Sequence, residues 1–188
     1  SDPQYSSLYP YLAAAYVELK RTDEALKAIQ EGISIDQFNE KIWQKAGQIA
    51  TMAGEDDLAL EYFQKGHEIA PDDVELLNLL SDWYVEHERY EDNLKLLEPL
   101  EDDHVFDDHL AYNLALSYQD ACNYKAAAHH YELANHELND NPEFLKHAAL
   151  FYRENGRVKE ERTYLKRYLE LVPNDLEMAS LYDEEQDY

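Results

Sequence analysis

The stretch EKIWQKAGQIATMAGEDDLALEYFQKGHEIAPDD, residues 40–73, decides how the whole chain is interpreted. Helix-forming residues fill it on both sides of Gly54, and Gly is typical of a turn between two helices. The stretch ends with Pro71 and two aspartates, and a similar phrase, VPND, contains Pro173. The two prolines are 102 residues apart, which is three times 34, so their spacing indicates a repeated unit of 34 residues.

Five blocks fit this period without an insertion: 6–39, 40–73, 74–107, 108–141 and 142–175. The eighth place of each block carries a small residue, namely Ala13, Gly47, Ser81, Ala115 and Ala149. The twenty-fourth carries a large one, namely Ile29, Phe63, Leu97, Tyr131 and Leu165. The last carries a helix-capping type, namely Asn39, Asp73, Asp107, Asn141 and Asp175. Because small residues let helices approach and large ones fill the remaining space, each block is predicted to be a helix pair.

This pattern resembles the tetratricopeptide repeat family, whose unit also has 34 residues. The second block matches it best, through Trp43, Gly47, Ala59, Phe63, Gly66 and Pro71. The resemblance implies an all-α fold, a right-handed α-solenoid of five antiparallel helix pairs plus a short C-terminal helix. We expect a single domain over 1–188, in which residues 176–188 form that helix and an acidic tail. The helix is either a cap or the start of a sixth unit. Because an initiator Met is lacking, a fragment of a longer protein is an alternative to a complete chain.

The third block departs from the pattern in three places, one of which is Leu100, where Gly or Ala is usual. Asn93 stands where the second block has Ala59, and Pro99 interrupts the second helix. Proline removes a backbone hydrogen bond and clashes with the preceding turn, so this helix is predicted to stop or bend near Glu98. The following residues, EPLEDDHVFDD, are predicted to form an acidic irregular connection.

The composition is strongly acidic, with 41 Asp and Glu against 16 Lys and Arg and a net charge of −25. Such a chain repels nucleic-acid backbones and anionic lipids, and no apolar stretch approaches the ~20 residues that span a bilayer. We therefore expect no nucleic acid and no membrane among its partners. The single Cys122 can form no internal disulfide, which fits a cytoplasmic location.

Sequence motifs for catalysis are lacking: the chain has no HExxH, no GxSxG, no Gly-rich phosphate loop and no CxxC pair. His129, Glu132 and His136 share one side of a predicted helix, which suggests a metal site. Closed zinc sites, however, usually have four ligands, often including Cys, so we interpret these residues as a solvated stripe. The chain is predicted to be non-enzymatic, with no cofactor and no bound metal.

In the family that the chain resembles, the first helices of successive units line a concave groove. Carried over residue by residue, this implies a peptide-binding groove formed by Gln44, Gln48, Glu75, Asn78, Asp82, Glu86, His109, Tyr112, Asn113 and Gln119. Eleven acidic and two basic residues in the third block favour a peptide with basic side chains beside an apolar anchor. The amides are expected to bind its backbone, and an exposed Tyr112 to supply a flat contact.

The leading hypothesis is therefore a non-enzymatic scaffold that binds a protein or peptide on this concave face. One alternative is a regulatory or sensor segment of a larger protein that responds to a small peptide. Another is a self-assembly module, which would form a homo-oligomer if the first helix exposes Leu8, Tyr9 and Leu12.

Overall fold

The computed structural model describes residues 6–101 and 106–184, and over these ranges it contains helices and no strand. The α-helices are α1 (Leu8–Glu18), α2 (Thr22–Ile35), α3 (Glu40–Ala53), α4 (Asp56–Ile69), α5 (Val74–Glu86), α6 (Tyr90–Leu97), α7 (Asp108–Asp120), α8 (Tyr124–Ala134), α9 (Pro142–Glu154), α10 (Val158–Leu171) and α11 (Leu176–Glu184). The first ten form five consecutive pairs, each within one predicted block. The predicted fold class, an all-α solenoid of helix pairs with a terminal helix, is confirmed.

The turn inside each pair repeats the same backbone conformation at the predicted period. One residue per turn has a left-handed φ, namely Lys20 (58°), Gly54 (77°), Glu88 (56°), Cys122 (56°) and Gly156 (66°). Glycine adopts this conformation without the steric cost that a Cβ imposes. The other three turns adopt it without glycine, so the fold of the pair rather than the residue type sets the turn.

Close helix approach in the second pair depends on Gly47. A Cβ at this position would lie 2.3 Å from the ring of Phe63, the large residue of the same block. Gly66 plays a similar part between α4 and α5, because a Cβ there would lie 2.9 Å from the side chain of Leu76. The small and large places of the repeat therefore act as predicted: the small residue gives room to the ring.

The last residue of every block caps the helix that follows it. In each case a side-chain oxygen accepts a hydrogen bond from a backbone N–H in the first turn. The pairs are Asn39 with Lys41 (3.1 Å), Asp73 with Leu76 (3.0 Å), Asp107 with Leu110 (2.8 Å), Asn141 with Phe144 (3.1 Å) and Asp175 with Met178 (3.2 Å). The predicted caps are confirmed in all five blocks.

The third pair ends early, as predicted from Pro99. Helix α6 stops at Leu97, and a short 3-10 helix, Glu98–Leu100, takes its place. Asn93 is buried and donates hydrogen bonds to the carbonyl oxygen of Asn113 (3.2 Å) and the hydroxyl oxygen of Ser117 (2.9 Å). At the same place the first, second and fourth blocks bury Ala25, Ala59 and Ala127, and the fifth buries Glu161. Residues 102–105 of the predicted connection and 185–188 of the acidic tail lie outside the described residues.

The chain divides into two compact units whose boundary falls inside α5, between Trp83 and Tyr84. In unit 1 the completely buried side chains are aliphatic or small, and the rings of Tyr62, Phe63 and Trp83 are buried with 3–5% of their surface exposed. The completely buried side chains include Ala13, Ala25, Ile29, Ala46, Ala50, Ala59, Leu76 and Leu77. Unit 2 instead has an aromatic core, whose largest fully buried side chains are Tyr131, Tyr152, Phe144 and Phe151.

Candidate functional site

An open groove of about 370 Å³ lies between α1 and α3, the first helices of the two pairs in unit 1. Side chains that line it include Pro10, Tyr11, Ala14, Gln48, Ile49 and Met52. Pro10 and Ala14 stand one turn apart on α1, and their small side chains leave the space open. Pro10 is tolerated because it lies in the first turn, where a backbone N–H has no partner within the helix.

The groove is mainly apolar. Ile49 is buried in its floor, and Ile42 lies beside it. Tyr11 and Met52 line the groove while remaining 77% and 52% exposed to solvent. Aromatic and methionine side chains contribute large, adaptable contact areas at binding surfaces. An apolar side chain that enters the groove would bury these two residues as well.

The polar rim of the groove carries Lys41 and Lys45 of α3. The ammonium of Lys41 lies 2.7 Å from a carboxylate oxygen of Asp73 and 3.9 Å from one of Glu75. Hydrogen bonding to Asp73 raises the pKa of Lys41. Burial opposes ionisation of Asp73, but Lys41 and the N–H of Leu76 outweigh it, so the pKa of Asp73 is lowered. Lys45 donates to the side-chain oxygen of Gln48 (3.0 Å), which orients that amide at the groove.

Gln44, a predicted groove residue, is buried. Only 1% of its surface is exposed, and neither its amide oxygen nor its amide nitrogen has a hydrogen-bond partner. A buried amide without partners destabilises the fold, because it has lost the water that would satisfy it. Gln44 does not line the groove between α1 and α3.

In unit 2 the matching face of α7 and α9 is closed by rings. Tyr112 packs against Phe144 with ring centroids 5.4 Å apart, and its hydroxyl hydrogen-bonds to Nδ1 of His147. Burial lowers the pKa of His147, which favours its neutral form. The expectation that Tyr112 offers an exposed flat surface is wrong: Phe144 and His147 cover the ring and leave it 7% exposed.

The remaining predicted groove residues have different surroundings. Asn113 is buried, and the side-chain oxygen of Gln119 accepts a hydrogen bond from the hydroxyl of Tyr131 (3.0 Å). Half-buried positions are Gln48, Asn78, Asp82 and His109, and exposed ones are Glu75 and Glu86. Of the ten predicted residues, only Gln48 lines the groove in unit 1. Contact of each of the ten with a peptide stays a prediction.

Sequence reasoning missed the α1 side of the groove. It assigned the site to Gln44 and Gln48 in the second block and to eight residues of the third and fourth blocks, and it included no residue of α1. A signal was present in the sequence, because Pro10 and Ala14 are the smallest pair at the fifth and ninth places of any block. Small residues at two groove-facing places one turn apart indicate an unfilled space.

The His129, Glu132 and His136 side chains are all exposed on and beyond α8, as expected for a solvated stripe. Across the residues that the structure describes, no three His, Cys, Asp or Glu side chains are arranged to hold a metal ion. No helix among them combines the length and apolar character that crossing a bilayer requires.

Comparison with protein families gives two matches. Residues 109–175 match a family described as YpiA-like, C-terminal tetratricopeptide repeats, and residues 12–39 match one described as tetratricopeptide repeat. The chain is 29% identical over 170 residues to the TPR repeat-containing protein YpiA of Bacillus subtilis (strain 168). This alignment covers 90% of the chain and 40% of YpiA, so the chain spans about two fifths of the length of that relative.

Solved structures with related folds include several repeat proteins. PilF of Pseudomonas aeruginosa has a TM-score of 0.74 at 16% identity, with 97% of this chain and 90% of that chain covered. A double mutant of MamA from RS-1 has a TM-score of 0.77 at 15% identity, covering 92% and 96%. YrrB, described as a TPR protein with an unusual peptide-binding site, has a TM-score of 0.71 at 12% identity, covering 93% and 90%. At these identities the likeness shows the fold alone.

Proposed function

Since the chain is a tetratricopeptide repeat protein, we propose that it is a non-enzymatic scaffold that holds a peptide segment of a partner protein in the groove between α1 and α3. Repeats of this kind are in general scaffolds for protein–protein interaction. The first helices of the pairs, which the family pattern assigns to a concave face, are the surface that we propose to bind the peptide. The open apolar groove in unit 1 is the observation that carries the proposal.

The shape and lining of the groove favour an apolar anchor. Its volume of about 370 Å³ is within the range of small-ligand pockets, and its floor is built by buried Ile42 and Ile49. Tyr11 and Met52 gain buried contact area only when the groove is occupied. Burial of apolar surface stabilises by about 25 cal/mol per Å², so one aliphatic or aromatic side chain supplies the central contact.

The charge of unit 1 favours basic residues beside that anchor. Residues 1–83 contain six Lys and Arg and sixteen Asp and Glu. Of the two lysines on the groove rim, Lys41 lies beside Asp73 and Glu75, which leaves little positive field from its side chain, whereas Lys45 bonds to the neutral amide of Gln48 and keeps its field. We therefore propose that cationic side chains of the peptide lie toward α5, where Glu75 is exposed. Exposed charge pairs contribute under ~1 kcal/mol each, so binding is expected to weaken with salt.

A peptide selection tests this function. The 188-residue chain would be immobilised and exposed to a phage-displayed library of random peptides, and an enriched peptide would be titrated in a calorimeter. Ala14→Leu is designed to fill the groove. It places a leucine at the ninth place of the first block, where the fourth block has Leu116 on α7. Ala15→Leu adds the same group at an exposed neighbouring position and is the matched control.

The proposal expects enriched peptides with an apolar residue next to Lys or Arg. Filling the groove would weaken binding at least tenfold, roughly the value of one buried apolar side chain, while the control variant would bind as the wild type does. Equal affinity of Ala14→Leu and wild type would show that the peptide binds elsewhere. Enrichment of acidic peptides whose binding Ala14→Leu weakens would contradict the charge preference of this groove.

Self-assembly is a second candidate, which the exposure of two leucines on α1 favours. Leu8 and Leu12 lie one turn apart and are 58% and 46% exposed, whereas Tyr9 is half-buried against Gly32. We propose that these leucines can bury one another in a second copy. Mass in solution measured against concentration tests this: dimer formation that Leu12→Glu abolishes supports it, and a monomer at every concentration contradicts it.

A further inference from the structure

A second groove, of about 590 Å³, lies between α10 and α11 in unit 2 and differs from the first in its charge. Four cations line it, Lys159, Arg162, Lys166 and Arg167, together with Glu170 and Tyr182. The whole chain has only 16 Lys and Arg against 41 Asp and Glu. A quarter of its positive side chains therefore meet in one place, on a chain where carboxylates outnumber cations everywhere else.

Within the part of the chain that the structure describes, these four cations form no ion pair with a carboxylate, whereas most of the other cations do. Ion pairs join carboxylates to Arg21, Lys41, Lys65, Arg89, Lys95, Lys146, Arg153 and Arg157. Two carboxylates of α10 are engaged elsewhere: Glu160 with Arg157, and buried Glu161 with Arg153 (2.9 Å). Glu170 of the same helix lines the groove, so one carboxylate stands against four cations there and the groove keeps a net positive charge.

The cations are arranged as a stripe along α10. Lys159, Arg162 and Lys166 are spaced by three and four residues and share one face. The opposite face, with Tyr164, Leu165 and Tyr168, is buried in the core of unit 2. This division leaves the stripe in solvent as a regular array rather than as scattered surface charge.

Two of the guanidinium groups are held in place by neighbours that leave their charge intact. Arg162 lies over the ring of Tyr182 on α11, with 5.2 Å between the guanidinium carbon and the ring centroid. Arg167 donates a hydrogen bond to the side-chain oxygen of Asn135 (3.0 Å). Ordering a long side chain before binding removes part of the entropy cost of binding. Arginines fixed in this way suit bidentate recognition of carboxylates.

We propose that this groove binds an acidic, extended segment of a partner protein, as a second interaction surface separate from the groove of α1 and α3. Seven residues of helix separate Lys159 from Lys166, a rise of about 10 Å. A peptide in the polyproline II conformation has three residues per turn and advances about 3.1 Å per residue, so carboxylates three residues apart lie on one side of it, about 9 Å apart, close to that distance. The scaffold would thus hold a basic segment on α1 and α3 and an acidic one on α10 and α11.

Other polyanions fit the molecule less well. Nucleic acids and anionic membranes carry dense charge that extends well past one groove and would meet the remaining surface of a chain with net charge −25. A short peptide instead feels the local field, because salt screens charges beyond about 8 Å. Residues 142–175 have seven Lys and Arg against six Asp and Glu, which is the least acidic block of the chain.

A fluorescein-labelled peptide with Glu at every third position, and Ser and Gly between, provides a defined probe. Its binding to the full 188-residue chain would be followed by fluorescence anisotropy, beside a version with Gln in place of Glu and a labelled oligothymidine. Lys159→Glu with Lys166→Glu reverses two charges of the stripe. Lys20→Glu with Lys27→Glu makes the same charge change at exposed positions of unit 1 and is the matched control.

We expect the Glu peptide to bind and the Gln peptide not to bind. Reversal of Lys159 and Lys166 should weaken binding roughly tenfold or more, and the control pair should change it by less than about twofold. Equal loss in both double variants would mean that net charge alone attracts the probe, which overturns the proposal. Tighter binding of oligothymidine than of the Glu peptide would also overturn it. So would a Glu-peptide affinity that appears only after residues 185–188 are deleted, since the acidic C terminus would then be the occupant.

Discussion

In unit 1 the first helices α1 and α3 leave an open apolar groove, whereas in unit 2 the matching helices α7 and α9 close the same face with rings. The repeat is the same, and two places on it make the difference. Unit 1 has Pro10 and Ala14 at the fifth and ninth places of the first block, and unit 2 has Tyr112 and Leu116 in the fourth. The repeat pattern fixes the helix pairs, and the side chains at the fifth and ninth places decide whether the face has an open groove or is filled.

The two units also differ in what their aromatic side chains contribute to the stability of the fold. Aromatic side chains in unit 2 pack on one another, with centroids 4.9 Å apart for Tyr131 and Phe151 and 5.5 Å for Tyr152 and Tyr164. Such pairs add about 0.5–1.5 kcal/mol beyond the area that they bury. The aromatic side chain of unit 1 that lines the groove, Tyr11, is exposed and has no comparable packing. Loss of an aromatic ring should therefore have very different consequences in the two units.

The largest expected effect comes from Tyr131→Ala in unit 2. Tyr131 is fully buried, and its hydroxyl donates to Gln119 (3.0 Å), so the change should lower the free energy of unfolding by about 3–5 kcal/mol. The same substitution at Tyr11 should alter it by less than about 0.5 kcal/mol. Urea denaturation followed by circular dichroism would measure both. A similar loss at the two positions would refute the contrast between a packed and an open face.

Asn93→Asp should lower the free energy of unfolding slightly less, by about 3 kcal/mol at neutral pH. The reason is that it buries a charge and replaces a hydrogen-bond donor by an acceptor. The new carboxylate would face the carbonyl oxygen of Asn113, to which the amide of Asn93 now donates. Asn123→Asp is the control, since its exposed side chain caps α8 and a carboxylate caps equally well. If both variants denature at the urea concentration of the wild type, the buried amide has no role in joining α6 to α7.

A smaller effect is expected from the caps. Asp73→Ala removes both the cap of α5 and the partner of Lys41, and should lower the free energy of unfolding by about 1–2 kcal/mol. Asn39→Ala removes a cap without a lysine partner, so about 1 kcal/mol is expected. Thermal unfolding would rank the two variants. A larger loss for Asn39→Ala would contradict the contribution of Lys41.

The smallest effect is a pH dependence, expected from buried histidines. Burial lowers the pKa of His67 in unit 1 and of His130 and His147 in unit 2. The unfolded chain then binds more protons than the folded one below an unfolded pKa of about 6.5, so stability falls as the pH drops through that value. Calorimetry should show a lower melting temperature at pH ~5.5 than at pH ~7.5, and His147→Gln should reduce the difference. A melting temperature that rises on acidification would contradict the assigned direction.

The fold was predictable from the sequence because its determinants are local and periodic. Gly47 opposite Phe63, the caps from Asn39 to Asp175, and the stop at Pro99 each follow from one residue type at one place. The surface was less predictable, because exposure depends on neighbours from other helices. Tyr112 was expected to be exposed, and its burial follows from Phe144 and His147, which lie in the next block.

The repeat pattern likewise did not predict which ion pairs form. Lys41 and Lys146 stand at different places of their blocks, yet each pairs with the Asp that caps the helix after its own pair. Hydrogen bonds from Tyr168, the N–H of Met178 and Lys146 lower the pKa of Asp175 to about 2. The stripe on α10 could not be predicted for the same reason. The sequence shows its cations, but only the structure shows which neighbouring carboxylates form ion pairs with other residues.

The most direct test of the contrast is a methyl NMR titration with the apolar–basic peptide obtained by selection. Methyl resonances of Ala14, Ile49 and Met52 report on the groove of unit 1, and those of Leu116 and Leu150 report on the filled face of unit 2. The account predicts shift changes that saturate with the peptide in the first set, and none beyond noise in the second. Shift changes at Leu116 and Leu150, with Ala14 and Met52 unaffected, would contradict it.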